Sequence, residues 1–317
     1  MLTKPYLAKC ADRNSMPKSH PTSGSPEEWL SNSMLSQINL TGISFDFFVD
    51  WNANPNAITP VIWIKRILLS QFSYQQLIQN LDEIIILEFG INYLNLLDAF
   101  ARNNQFTVQF VIFRDDLDWA QNTSEILFVN LVNANANIIS FTTNLISIDI
   151  VKNLIRQHSG GPIQIGAKGL IYGTSNLECH LSHTDSLYPG DVDLIILNNE
   201  SKPLCILEFK KHTLNNSISL QRLSNYYPNP DGRKYNRLAI LKDYLNETGL
   251  NVPIFIVYYP TNPAFTEGRL ELLQGNIGNL STKVASNFDL PVDNSNEEYI
   301  KIINKLVKAI EYHNSLV

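Results

Sequence analysis

Apolar residues along this chain gather into short runs divided by polar breaks, and their spacing switches between helical and strand-like periods. Between about 43 and 143 the pattern alternates. The spacing predicts a helix over 60–79 (Ile64, Ile67, Leu68, Leu77), a buried strand over 83–89, a helix over 91–103 and strands over 106–113, 126–132 and 138–142. Such alternation favours an α/β layer with some parallel pairing. An amphipathic helix over 144–158, with Ile148, Val151, Leu154 and Ile155 on one side, is closed by Gly160-Gly161-Pro162. Candidate strands follow at 163–172 and 176–181, then an apolar hairpin, a helix over 214–227, the turn cluster Pro228-Asn229-Pro230-Asp231-Gly232, a helix over 233–246 and a buried strand over 252–259. Residues 261–295 read as irregular, and 297–314 as a terminal amphipathic helix. No internal repeat stands out.

Residues 1–24 are polar and aperiodic and read as a mobile leader. Ser25-Pro26-Glu27-Glu28 supplies an N-cap, a first-turn proline and a capping glutamate, so a short helix is expected through Trp29, Met34 and Leu35. This gives an α/β accessory domain over 25–143 and a second domain over 144–317.

The most informative stretch runs Gly190-Asp191-Val192-Asp193-Leu194-Ile195-Ile196-Leu197, breaks at 198–203, and resumes as Leu204-Cys205-Ile206-Leu207-Glu208-Phe209-Lys210-Lys211. With the turn centred between Glu200 and Ser201, Asp193 lies opposite Glu208 and Asp191 opposite Lys210. Side chains alternate with period two, so these four leave one face at one end of the ribbon. Charges beside so apolar a pair of strands need partners, and a divalent cation together with the lysine would provide them. The plainer reading is a solvated hairpin end with an Asp191–Lys210 ion pair.

The pattern Asp193…Glu208-Phe209-Lys210 resembles the PD-(D/E)XK nuclease superfamily. Gly190-x-x-Asp193-Leu-Ile followed by Leu207-Glu208-Phe209-Lys210 looks most like the branch that includes archaeal Holliday-junction resolvases and many restriction enzymes. The resemblance implies a restriction-endonuclease-like αβββαβ core in the C-terminal half. It implies Mg²⁺, replaceable by Mn²⁺, held by Asp193, Glu208 and the Phe209 carbonyl, with Lys210 orienting or deprotonating the attacking water. Asp191 is either a further metal ligand or the partner of Lys210. Glu178, one strand upstream, is an edge-strand glutamate or an addition to the metal shell. Gln221…Tyr226 is similar to the glutamine-and-tyrosine signature of the recombination nucleases, at a spacing one residue longer.

Composition sharpens this picture. The net charge of −6 hides an asymmetry: 41–150 holds four Lys/Arg against eleven Asp/Glu, while 151–317 holds sixteen of each. Basic residues cluster after the motif, and Lys211, His212, Arg222, Arg233, Lys234 and Arg237 are the expected phosphate contacts. The acidic first half suits a protein or small-ligand partner, or self-association, better than a grip on DNA. Cys10, Cys179 and Cys205 are widely spaced, which suggests no disulfide framework and a reducing cytoplasm. No run reaches membrane-span length, no glycine-rich phosphate loop follows a strand, and His180 with His183 reads as an ordinary strand end rather than a zinc site. Glu88, in an echo of the motif that lacks its lysine, reads as a strand-end residue. The expectation is a Mg²⁺-dependent DNA endonuclease, by analogy in restriction or antiphage defence. The rivals are an RNA- or structure-specific nuclease, a non-catalytic nucleic-acid-binding module and a ligand-sensing α/β protein.

Overall fold

The computed structural model describes residues 1–16, 23–121, 124–135, 138–165 and 169–315. In chain order its elements are β1 (Leu2–Thr3), β2 (Ala8–Lys9), α1 (Pro26–Trp29), α2 (Asn32–Leu35), β3 (Thr41–Asp50), β4 (Ala57–Leu68), α3 (Tyr74–Gln79), α4 (Leu81–Phe89), α5 (Ile91–Asn103), β5 (Thr107–Phe113), β6 (Glu125–Asn135), β7 (Ile138–Ser147) and α6 (Ile148–His158). They continue with β8 (Tyr172–Gly173), α7 (Asn176–Leu181), β9 (Gly190–Leu197), β10 (Pro203–His212), α8 (Gly232–Asn246), β11 (Ile254–Pro260), β12 (Glu267–Gln274), β13 (Ser281–Asp289) and α9 (Asn296–Asn314). The chain is mixed α/β. It divides into two compact units, residues 1–18 with 45–191 and residues 19–44 with 192–317. The break expected near 144 therefore falls inside the first unit.

In the first unit β3 and β4 form an antiparallel hairpin. The chain leaves through α3, α4 and α5 and returns as β5, parallel to β4; a parallel neighbour demands a crossover of this length. β6 and β7 then add antiparallel strands, and α6 closes the run. Its core gathers Phe48, Trp63, Val111, Phe113, Ile126, Val151, Ile155, Leu177 and Tyr188. In the second unit β9 and β10 form the hairpin, α8 lies in the crossover, β11 runs parallel to β10, and β12 and β13 follow antiparallel. α1, α2 and α9 cover this sheet, with Trp29, Leu35, Leu207, Phe255, Leu272, Ile303 and Leu306 in one apolar cluster. The two units thus repeat one order: hairpin, helical crossover, parallel strand, two antiparallel strands, helix. The repeat lies in topology and escapes a search for recurring residues.

Several elements differ from the sequence reading, each for a physical reason. Residues 57–68 are strand, not helix: Val61, Ile62, Ile64 and Ile67 are β-branched and Trp63 is aromatic, and pairing on both sides uses that preference. Residues 81–89 are helical although Ile84-Ile85-Ile86 invites a strand. Leu81 and Ile85, one turn apart, are buried, Leu87 is exposed, and Asp82 and Glu83 occupy the first turn. The Ser175 hydroxyl accepts from the Glu178 amide and so starts a helix at 176–181. The strand expected over 176–181 as part of the αβββαβ core is therefore a helix. Residues 214–227 form short 3₁₀ turns (Ile218–Leu220, Leu223–Asn225) in place of a helix. The stretch expected to be irregular contains β12 and β13, and only Tyr172 of the strand expected over 163–172 belongs to a named strand; 166–168 lie outside the described residues.

The expected leader is tied down in its described part. β1 pairs with β4, β2 with β8, and Cys10 is joined to Cys179 by a disulfide; residues 17–22 lie outside the described residues. This bond overturns the expectation of unpaired cysteines and removes their support for a reducing compartment, since disulfides persist mainly in oxidising ones. Among the described residues no single helix is long and apolar enough to cross a membrane.

Trp29 anchors the short helix α1: it is 1% exposed and meets Tyr259 and Phe288 edge-on at 6.1 and 6.3 Å. Trp29→Ala should cost about 3–5 kcal/mol of stability by opening a cavity there, measured as a shift in urea midpoint at unchanged slope; a loss below 1 kcal/mol would mean that α1 is not an integral part of the second unit.

Candidate functional site

β9 and β10 place the motif as the hairpin arithmetic requires. Leu194 pairs with Leu207, so the next step along the ribbon sets Asp193 opposite Glu208, with Lys210 two residues further on the same face. Glu208 is fully buried. Its Oε1 lies 3.3 Å from Lys210 Nζ and its Oε2 lies 2.9 Å from Lys234 Nζ. Lys234 Nζ also approaches Asp193 Oδ1 at 3.5 Å, so both carboxylates touch one ammonium. Asp193 Oδ2 accepts from the Phe209 amide at 2.5 Å. Phe209 therefore contributes an N–H to this arrangement, where the expectation was a metal-bound carbonyl.

Lys210 is bound on three sides. Its Nζ donates to Asp231 Oδ2 at 2.7 Å and stands 5.0 and 5.5 Å from the ring centroids of Tyr226 and Tyr235. The Tyr226 hydroxyl donates to Gln221 Oε1 at 2.7 Å, and Gln221 is 4% exposed. Gln221 and Tyr226 thus join the lysine end of the motif, as their pairing in sequence suggested. The loop that carries them is held from behind by Glu271, a fully buried carboxylate on β12. Its Oε2 accepts from the Leu223 amide at 2.9 Å and the Tyr258 hydroxyl at 2.6 Å, and its Oε1 from Thr282.

Other expected site residues lie elsewhere. Asp191 and Glu178 belong to the first unit, where both act electrostatically on Lys65 and Asp46. Lys210 pairs with Asp231 at 2.7 Å. Glu178 accepts from Lys65 and from the Thr174 amide. Glu88 is helical and binds Arg66 Nε at 2.6 Å. His212 is buried, with Nε2 2.8 Å from the Asn216 carbonyl, and is closed to a phosphate. Lys211 sits half-buried on the opposite face of β10 from Lys210. Arg222 and Arg233 are exposed, and Arg233, Lys234 and Arg237 lie within one turn of α8. Lys234, expected at a phosphate, is instead the shared partner of the two carboxylates. Sequence reasoning missed Asp231, Tyr235 and Glu271. Asp231 was hidden in a turn cluster and Glu271 in a stretch read as irregular.

Among the described residues no three acidic, histidine or cysteine side chains converge as a ready-made metal cage. The Asp193–Glu208 pair nonetheless suits Mg²⁺, a cation that is commonly held by one or two carboxylates with water and phosphate oxygens completing its shell. The buried Glu208 carboxyl, met here by an ammonium on a partly exposed arm, is the feature that fits it. Compared with family models, curated proteins and solved structures, the chain matches none of them.

Burial first, and then Asp193, pushes the Glu208 carboxyl up to about 8, with Lys234 and Lys210 opposing. Between the ordinary carboxylate range and pH 8 the folded state then holds a proton that the unfolded state has lost, so stability falls as pH rises through this window. Urea unfolding at pH 5.5 and pH 8 should show the wild type losing more stability than Glu208→Gln, and saturating Mg²⁺ should return part of the loss with release of protons. Parallel behaviour of the two proteins would show that Glu208 is not the titrating group.

Proposed function

We propose that the second unit hydrolyses phosphodiester bonds of nucleic acid, DNA foremost, with a divalent cation, as a PD-(D/E)XK-like nuclease. The observation that carries this reading is the convergence of Asp193, Glu208 and Lys210 at one end of the β9–β10 hairpin, with both carboxylates on one displaceable ammonium. The order β9, β10, α8, β11 supports it as well, because it puts α8 and its cationic turn beside the motif.

Phosphodiester hydrolysis requires a deprotonated water, relief of charge at phosphorus and a stabilised leaving oxygen. A divalent cation held by Asp193 and Glu208 would supply the charge relief and lower the pKa of a bound water. Lys210 orients a water or a phosphate oxygen: Asp231 and the two tyrosine rings fix its ammonium, which leaves little rotamer freedom to lose. Gln221 accepts from the Tyr226 hydroxyl and so steadies the ring that faces Lys210. With a cation held by the two carboxylates, Lys234, on its partly exposed arm, would be available to the phosphate. Arg222, Arg233 and Arg237 supply further positive charge for the backbone. The stretch 41–150, which makes up most of the first unit, carries four basic against eleven acidic residues, and we assign the first unit to contacts other than with DNA.

The test is cleavage of supercoiled, linear and single-stranded DNA, and of RNA, by purified protein with Mg²⁺ or Mn²⁺. Lys210→Ala and Glu208→Ala should each lower the rate at least ~100-fold while circular dichroism stays unchanged. Cleavage retained in either folded variant, or no substrate cut by the wild type, would defeat the assignment, and faster cutting of RNA would move it to that substrate.

A further inference from the structure

We infer that the first unit is a second copy of the module that carries the proposed active site, with its metal seat filled by Trp63, so that each chain holds one catalytic centre. This rests on reading Asp193 and Glu208 as the metal-holding pair.

The register brings the two units into correspondence residue by residue. In the second unit Asp193 stands opposite Glu208, with Lys210 two residues on; in the first, Asp46 on β3 pairs with Trp63 on β4, with Lys65 two residues on. The next strand is parallel in both, with Ile256 beside Glu208 and Gln109 beside Trp63. Each unit also owns a short leading helix opened by Ser-x-x-Glu, with Ser25 and Glu28 in the second and Ser175 and Glu178 in the first. In both helices the glutamate side chain turns back to a backbone amide, Ser25 for Glu28 and Thr174 for Glu178. The chain order of these helices is exchanged. The one ahead of β3 belongs to the second unit, and the one directly ahead of β9 belongs to the first.

Asp and Lys are thus kept in the first unit and the glutamate is not. Trp63 is fully buried, donates from Nε1 to Gln109 Oε1 at 2.7 Å, and packs against Phe48, Phe128 and Tyr188 at 4.7, 5.2 and 5.6 Å between ring centroids. An indole wedged among three aromatic rings occupies the place where the second unit offers a carboxylate. The lysines differ as well. Lys65 is itself the shared ammonium, 3.2 Å from Asp46 Oδ1 and bonded to Glu178, with the Tyr188 ring 5.1 Å away. Asp46, Glu178 and Asp191 outweigh its burial and hold its pKa above the ordinary lysine range. In the second unit the shared cation is Lys234, on the neighbouring helix and able to withdraw, which leaves Lys210 for the substrate. In the first unit no second lysine plays that part among the described residues. Burial pushes Asp46 up to about 7, with Glu178 and Asp191 adding to the rise against Lys65, which weakens it further as a ligand.

Calorimetric titration of the full chain with Mn²⁺ at pH 8.5, above the Glu208 transition, separates the possibilities. One equivalent should bind to the wild type, none to Asp193→Asn/Glu208→Gln, and one, with affinity changed less than threefold, to Asp46→Asn. Glu178→Gln serves as an independent second variant should Asp46→Asn fail to fold. Two equivalents on the wild type, one surviving in the double variant, or loss of binding in a folded Asp46→Asn or Glu178→Gln would overturn the inference while leaving the nuclease reading standing. No binding to the wild type would overturn both.

Discussion

The second unit is built around a carboxylate that has no water to turn to. Glu208 is sealed on β10 with Asp193 beside it, and two like charges in a low-dielectric site are unfavourable unless cations answer them. Lys210 and Lys234 do so from different elements, one two residues along the same strand and the other from the crossover helix. The hairpin, the crossover and the loop before α8 are all constrained by that need. Removing one cation leaves a buried charge exposed to its like neighbour, whereas replacing an ammonium by a doubly charged ion strengthens the balance.

The neighbouring elements make that arrangement rigid. Strand pairing sets Asp193 against Glu208 and leaves no register freedom, because a one-residue slip would turn Ile196, Cys205 and Leu207 out of the core. Asp231, at the N-terminal edge of α8, fixes Lys210 from outside. Glu271 accepts from Leu223 and Tyr258 and so pins the loop of Gln221 and Tyr226 to β12. A buried carboxylate with three donors organises a loop that has little regular hydrogen bonding of its own.

The hairpin could be read from the chain because its two apolar runs, its turn and its charges obey one alternation, and a period-two pattern converts directly into a shared face. The strand after α8 was readable for a different reason, as a short continuous apolar run buried at every position. Legibility failed where local and tertiary preferences diverge. Ile84-Ile85-Ile86 looks like strand, but in the fold only Ile85 of the three is buried, at helical spacing from Leu81. Glu178 follows a serine that caps a helix, a signal present in the sequence but overridden by the expectation of a third strand. The Cys10–Cys179 bond spans 169 residues, and no spacing rule connects partners so distant. The topological repeat was hidden because Trp63, where the motif has glutamate, erased the residue pattern that would have announced it.

Keeping a backbone and changing its chemistry follows from how these strands use space. The slot opposite the hairpin aspartate is walled by the next parallel strand and by the helices over the sheet, and it accepts either a charged group with its counter-ions or a ring with apolar neighbours. Glu208 takes the first course, with two lysines; Trp63 takes the second, with Phe48, Phe128 and Tyr188 and a single polar bond to Gln109. Each is self-consistent, and a mixture of the two is not: a carboxylate among those rings would lack a partner, and an indole beside Lys234 would strand two ammonium groups next to Asp193. Around Trp63 the ammonium of Lys65 is left to Asp46 and Glu178, which answer it without a metal-holding carboxylate opposite the aspartate.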